Sequence, residues 1–527
     1  MDVPSYPLSN SSSTAASSTA SRLLRPPLRF ARGIRHSSVC ALTRPAVANR
    51  RSSPSYVLDG AVRKAWTISE LIRTVQASRR DGDDMTDTLP QPPDELSPGL
   101  PPGPPPERSS SLDAPAARYL SAEGKRLATG ARALQHRIRE LAPEAERRGR
   151  LSPEIVEAFT ELGLYRACAP IEYGGSALGA RDIAEIARAL GQGDAAASWT
   201  FFVGTSLRMV SAFPKPLVDE LYSRQQGHVG PLSAGGSTFA AVTGKAVRAE
   251  GGWKVEGKWT YVSGNHDAAW LFGGAAWTDG DRSGHALLMM DPADVEPLDD
   301  WHVAGMMASD SNSITTTKPM FVPDHRFIDM AELPMYLDTA ADRFAGLAYQ
   351  AKTRASMMTA TVLNMAALVG MAEGALEVFQ ELAQKRKPFS PPYDTIAEMA
   401  SSQVAAGKAK ALLGVAGATV LQYADEIDHL AVLGEDYTGD EEAQGCTDLA
   451  FAGQLAKDAI DLLLRILGSS GMSLSNPLQR YSRDAAVILS HGAMRLESLA
   501  EISGRRLLGQ PPFKMFAGGL QDKGAQK

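Results

Sequence analysis

The sequence predicts an α+β protein of several domains: a helical N-terminal domain, a middle β-barrel-like domain and a C-terminal four-helix bundle. Three observations predict it. Apolar residues recur at helical spacing up to about residue 223, as in Leu127, Ala131, Leu134 and Ile138. From about residue 230 to 322, Gly, Thr, Ser and Val become frequent and the period shortens to that of strands. From about 339 to 508 helical spacing returns, and residues 357–376 are apolar around much of the circumference.

Composition bounds the rest. A chain of 527 residues, 44% hydrophobic and 22% charged, has ample material for a core. A net charge of −6 offers no footprint for nucleic acid. Cys40, Cys168 and Cys446 are far apart, form no C-x-x-C pair and suit a reducing compartment. No unbroken apolar run reaches transmembrane length, so no membrane span is expected. No metal-ligand set is visible, and no G-x-G-x-x-G follows a strand to mark a built-in NAD(P)H site.

Residues 1–112 read as a disordered leader. After Asp2 no acidic residue occurs until Asp59, and PPGPPP at 101–106 cannot build a core. The Arg- and Ser-rich opening suits an organelle transit peptide, which would place the protein in an organelle matrix. The alternative, favoured here, is a functional start near Met85 and a cytoplasmic protein.

The N-terminal helical domain covers 113–228. Ser152-Pro153 starts a helix as N-cap and first position, and Gly163 stops it. Two more helices are expected at 182–190 and 195–213. The middle β-domain covers 229–335. Within it, residues 251–270, GGWKVEGKWTYVSGNHDAAW, read as a hairpin turning at Glu256-Gly257, with Trp259, Tyr261 and Ser263 on one face of the second strand. The bundle covers 336–511, with helices at 357–376, 395–430, 447–467 and 476–506. Residues 435–442 are acidic and read as a solvated loop, and 512–527 form a flexible tail.

These stretches resemble the acyl-CoA dehydrogenase superfamily over about residues 113–511. Gly163 to Gly175 is similar to its N-terminal signature ending in Tyr173-Gly174-Gly175. Tyr261-Val262-Ser263-Gly264 resembles the aromatic-x-[ST]-[NG] end that touches the flavin. Gly305, Ser309, Ser311, Asn312 and Ser313 match its G-x-R-G-T-G-S-x-[DS] loop, but Met307, Ala308 and Asp310 replace Arg, Gly and Gly. Pro477-Leu478-Gln479-Arg480, Arg483-Asp484 and the ending Gly504-Arg505, Leu508-Gly509 resemble the C-terminal helix region. With Ala197-Ser198-Trp199, that ending is most like the group D two-component flavin-dependent monooxygenases.

The resemblance implies reduced flavin (FMNH2 or FADH2) from a separate reductase, O2, a small aromatic or polycyclic substrate hydroxylated through a C4a-hydroperoxyflavin, and a homotetramer. It places Tyr261, Ser263, Gly264, Ser237, Thr238 and Ser311 against the flavin. Ser206, Trp199, His266 and His302 become candidates for the substrate pocket.

An acyl-CoA dehydrogenase or oxidase acting on an acyl thioester is the alternative. Its chemistry needs a carboxylate base over the flavin. The two positions where the superfamily carries it fall on Gly492 and near Ala360, neither of which can act as a base. Glu497 and Glu501 lie on later turns of the expected last helix and leave a relocated base open. His491 stands beside the empty position, where an imidazole titrating near neutrality suits a phenolic proton. A histidine bonded to a backbone carbonyl is the other reading of His491. A degenerate relative that binds flavin or a partner without turnover is a third reading of the chain, supported by the altered loop 307–310.

Overall fold

The structure is a computed structural model that describes residues 120–223, 232–234, 243–389 and 391–510, by backbone alone at 206–207 and 232–234. The expected leader and tail lie outside the described residues, as do Ser237 and Thr238.

The chain enters through α1 (Ala122–Arg148), whose N-cap Ser121 accepts the Gly124 N–H, and leaves it through Gly149 at φ 75°. Ser152 and Pro153 open α2 (Pro153–Leu162), and Gly163 at φ 87° closes it. α3 (Ala180–Gly191) is buried along almost its whole length. Its free N-terminal amides are satisfied from outside: Ala180 and Arg181 donate to the Asp428 carboxylate at 2.6 and 2.9 Å. The helix expected at 195–213 is α4 (Ala195–Gly204) followed by a tighter 3₁₀ segment, Thr205–Ala212. α5 (Lys215–Ser223) ends this region.

Ten strands follow among the described residues: β1 (Leu232–Ala234), β2 (Gly244–Ala249), β3 (Gly252–Glu256), β4 (Lys258–Trp259), β5 (Trp270–Asp279), β6 (Arg282–Met290), β7 (Glu296–Pro297), β8 (Ile314–Thr315), β9 (Met320–Pro323) and β10 (Phe327–Asp329). One sheet runs β10-β6-β5-β2-β3-β9, with β1 parallel to the start of β5; a second runs β4-β8-β7. Trp259 is fully buried and donates its indole N–H to the Gly274 carbonyl, joining the small sheet to the large one.

The expected hairpin at 251–270 is corrected here. β3 pairs with β2 and β9, whereas β4 pairs with β8 in the other sheet. Glu256-Gly257 is a passage between sheets, and the turn closing a hairpin is Glu250-Gly251, with Gly251 at φ 72°. The face pattern also breaks. Tyr261 takes φ 58°, so Trp259 and Ser263 are buried while Tyr261 is 59% exposed. Alternation in the sequence fixes the local face only while the backbone stays extended.

The C-terminal region holds α6 (Leu333–Asp338), α7 (Thr353–Lys385), α8 (Ala400–Leu433), α9 (Gly439–Leu467), α10 (Pro477–Ser490) and α11 (Leu496–Leu507). α7 is the central helix, packed against α3, α8 and α9. α7 and α8 are long and apolar enough to span a membrane by length and composition, but α7 is largely buried inside this chain. Two expectations change. The acidic stretch 435–442 is not all loop: Thr438 and Glu441 form a capping box that starts α9. The helix expected at 476–506 breaks after Ser490 into α10 and α11, so Glu497 and Glu501 sit exposed on a separate helix.

Candidate active site

The site forms where α4, the loop after β4, the loop before β8 and the end of α10 meet. Four polar contacts run in series through it. The Trp199 indole N–H donates to Ser263 Oγ at 2.9 Å. Ser263 Oγ lies 2.7 Å from Ser311 Oγ, and Ser311 Oγ lies 2.7 Å from Ser309 Oγ. Ser309 Oγ donates to the Met306 carbonyl at 2.7 Å. Indole can only donate and carbonyl can only accept. With every contact made at once, the three hydroxyl protons therefore run one way, from Ser263 toward Met306.

The turn after Ser263 is fastened to the same loop. The Gly264 N–H, at φ 72°, donates to the carbonyls of Ser309 and Asp310 at 2.9 and 3.0 Å. Asn265 Nδ2 reaches the carbonyls of Val262, Asp310 and Asn312. Asp310, buried and at φ 51°, accepts the His266 N–H at 2.9 Å, lies 2.7 Å from His266 Nδ1 and accepts from Asn312 Nδ2. Asp310 thus supplies the internal bonds of the altered loop. From the N-terminal side, Arg150 bridges Ser309 across the backbone.

His491 is the C-cap of α10, with extended backbone that ends the helix; its carbonyl accepts the Met494 N–H at 2.8 Å. The residue is exposed, yet protein packs around its ring, and Nδ1 accepts the Ala493 N–H at 3.3 Å. That burial holds its pKa below the ordinary value, so the imidazole is neutral at pH 7. Its ring meets Trp199 edge-on at 5.9 Å between centroids, and Trp199 meets Phe202 at 5.3 Å.

The structure therefore brings Trp199, Ser263, Gly264, Ser311 and His491 together. Tyr261 and Ser263 do not face the same way: the Tyr261 ring stands out edge-on to Trp301, while Ser263 lies under the Trp199 indole. His266 joins through Asp310, whereas His302 is exposed on the same loop. Ser206 lies in the 3₁₀ segment, and its side chain is outside the described residues. Sequence reasoning missed Asn265 and used Ser309 and Asp484 only as landmarks of motifs; the positive φ values at Met306 and Asp310 have no sequence signature. Among the described residues no group of three His, Cys, Asp or Glu is placed to hold a metal.

Residues 122–215 match the acyl-CoA dehydrogenase N-terminal domain, and residues 362–496 match the acyl-CoA dehydrogenase C-terminal domain. The chain thus carries acyl-CoA dehydrogenase N- and C-terminal domains. The relatives are oxygenases. A pigment production hydroxylase of Rhodococcus sp. is 25% identical over 72% of this chain and 97% of its own. The flavin-dependent monooxygenase oxygenase subunit HsaA of Mycobacterium tuberculosis is 26% identical, covering 71% of this chain and 93% of its own. The solved structure of XiaF from Streptomyces sp. in complex with FADH2 and glycerol superposes with a TM-score of 0.68 at 26% identity, over 74% of this chain and 96% of that one.

The lining suits a flavin. With their protons spent along the series, Ser263 and Ser311 keep oxygen lone pairs that can accept from a flavin N–H. The accessible Tyr261 ring beside them offers a flat apolar surface.

Proposed function

We propose that this protein is the oxygenase component of a two-component flavin-dependent monooxygenase that hydroxylates an aromatic or polycyclic small molecule. It takes reduced flavin, FMNH2 or FADH2, from a separate reductase, and O2 is the co-substrate. The observation that carries this reading is His491: a neutral, accessible imidazole set against Trp199, with no carboxylate at Gly492 or Ala360. The related oxygenases support it.

Reduced flavin, when bound, supplies the electrons that activate O2. Ser263 and Ser311 would hold it, with Gly264 shaping the turn beside them and Tyr261 at the outer rim; Ser237 and Thr238 lie beyond the described residues. His491 accepts the phenolic proton of the substrate at Nδ1, in exchange for the Ala493 N–H which that nitrogen accepts at 3.3 Å, and loss of the proton raises electron density on the ortho carbon that receives oxygen. Trp199 and Phe202 give the substrate ring an apolar wall. Asp310 fixes His266 at the edge of the same loop.

We also propose a homotetramer. The local support is α8 rather than the apolar stretch 357–376, which is spent inside the monomer. Val404, Val415, Val432 and Leu433 on α8 and Phe451 on α9 are all more than half exposed.

The test supplies chemically reduced FMN or FADH2, ¹⁸O2 and a panel of phenols to the purified protein without a reductase. One ¹⁸O atom per hydroxylated product is expected. Bleaching of oxidised flavin by an acyl-CoA, with no hydroxylation, would favour the dehydrogenase reading instead.

A further inference from the structure

The carboxyl group of Asp484 is buried in the middle of α10 and accepts the Met306 N–H at 2.6 Å. Beside it, Arg483 Nη1 donates to the Ala304 carbonyl at 2.6 Å. Between these two bonds lies Gly305, where a Cβ would come within 2.6 Å of the Arg483 carbonyl. Helix and loop thus touch backbone to backbone, and a glycine is required by the approach.

Met306 is the node of the loop. It sits at φ 57°, a conformation that side chains with a Cβ rarely adopt. Its N–H is taken by Asp484. Its carbonyl collects the Trp301 indole N–H at 3.0 Å, the Ser309 N–H at 3.1 Å and the Ser309 hydroxyl at 2.7 Å. From Ser309 the hydroxyl series runs back through Ser311 and Ser263 to Trp199, and Trp199 packs on His491. His491 ends the helix that carries Asp484. The path is a closed ring of contacts, and α10 supplies both its anchor and its last member.

We propose that Asp484 is a positioning residue: through Met306 it fixes the Ser309–Ser311–Ser263 wall, so that the flavin-facing hydroxyls and His491 are held in register by one helix. The assignment of that wall to flavin rests on the proposed function; the clasp itself does not. Arg483 and Gly305 serve the same contact. Asp484 needs its burial for this task, since in the cleft the Met306 N–H would exchange with water.

The test is hydrogen exchange across residues 300–313 in the full chain, together with reduced-flavin affinity and the share of turnover lost as hydrogen peroxide. The variants are Asp484→Ala, Asp484→Asn and Gly305→Ala. Asp484→Ala removes the acceptor, and Gly305→Ala pushes the loop off the helix backbone without removing a hydrogen-bonding side chain. Both should raise exchange in 300–313 by about tenfold or more, with α7 and α9 near wild type. Both should weaken flavin binding and increase peroxide loss. Asp484→Asn, which keeps a carbonyl oxygen for Met306, should fall between them and wild type. Should Asp484→Ala not fold, the other two variants carry the test. Unchanged exchange in 300–313, or an increase spread evenly over the chain, overturns the clasp. Loosened exchange with unchanged flavin affinity and peroxide loss overturns the role of that wall in positioning the flavin.

Discussion

The Trp199 indole links two parts of the site: its N–H donates to Ser263, and its ring meets His491 edge-on at 5.9 Å and 64°. Burial lowers the His491 pKa, because it penalises the imidazolium, and Trp199 is one of the side chains packed on the ring. Trp199→Ala should uncover the ring and move its pKa up toward about 6.5. The working form is the neutral base, so the acid limb of the kcat/KM profile should move to higher pH. Trp199→Phe keeps the cover and should leave that limb in place. A pH profile of both variants checks this, and identical limbs would separate Trp199 from the base.

Ser263→Ala removes the first hydroxyl of the series and leaves the Trp199 N–H without its acceptor. A lost hydrogen bond of this kind is worth about 1 kcal/mol, or roughly fivefold in flavin affinity. Peroxide leakage should rise as well, since water gains access to the wall. Flavin titration and peroxide release read the two effects separately. If neither moves, Ser263 does not meet the flavin.

Much of the fold was legible because helices and strands carry their period and caps in neighbouring residues. Ser152-Pro153 and Gly163 bracket α2, and the small and apolar residues of 357–376 mark the core helix. The capping box at Thr438 and Glu441 was legible too, but acidity made it resemble a loop. What could not be read is set by distant partners. β3 and β4 belong to different sheets because their pairing residues lie at 244–249 and 314–315. The break after Ser490 had only Gly492 as a signal. In the site, motif residues gave Ser263, Ser311 and His491, while the Asp310–His266 and Asp484–Met306 contacts join residues 44 and 178 positions apart.

Asp428 caps α3 from α8, and burial pushes its carboxyl up to about 6. Its folded-state pKa therefore lies above the unfolded value of about 4. The folded protein binds the proton more tightly, so this contribution is full below pH of about 4 and fades as pH rises through 6. Asp428→Asn cannot titrate. The Tm of wild type minus that of Asp428→Asn should fall between pH 4 and pH 7 and then level off. Thermal melts across that range check it; a constant difference would mean that Asp428 does not titrate there.

Association through α8 would cover its exposed valines. Sedimentation at micromolar concentration should show a tetramer, and Val404→Glu with Val415→Glu should shift it to smaller species with an unchanged circular dichroism spectrum. A monodisperse wild-type monomer would contradict the assembly.

The most direct test of the account is the rate of hydroxylation by His491→Ala as a function of pH, with reduced flavin supplied. The variant should still bind reduced flavin and consume O2, releasing hydrogen peroxide. Hydroxylation near pH 7 should fall by about 10²–10⁴, the usual worth of a general base. Raising the pH toward the phenol's own pKa, about 10, should restore part of the rate, because solvent then ionises the substrate. Wild-type hydroxylation by His491→Ala across the whole pH range would contradict the account and leave His491 a structural end to its helix.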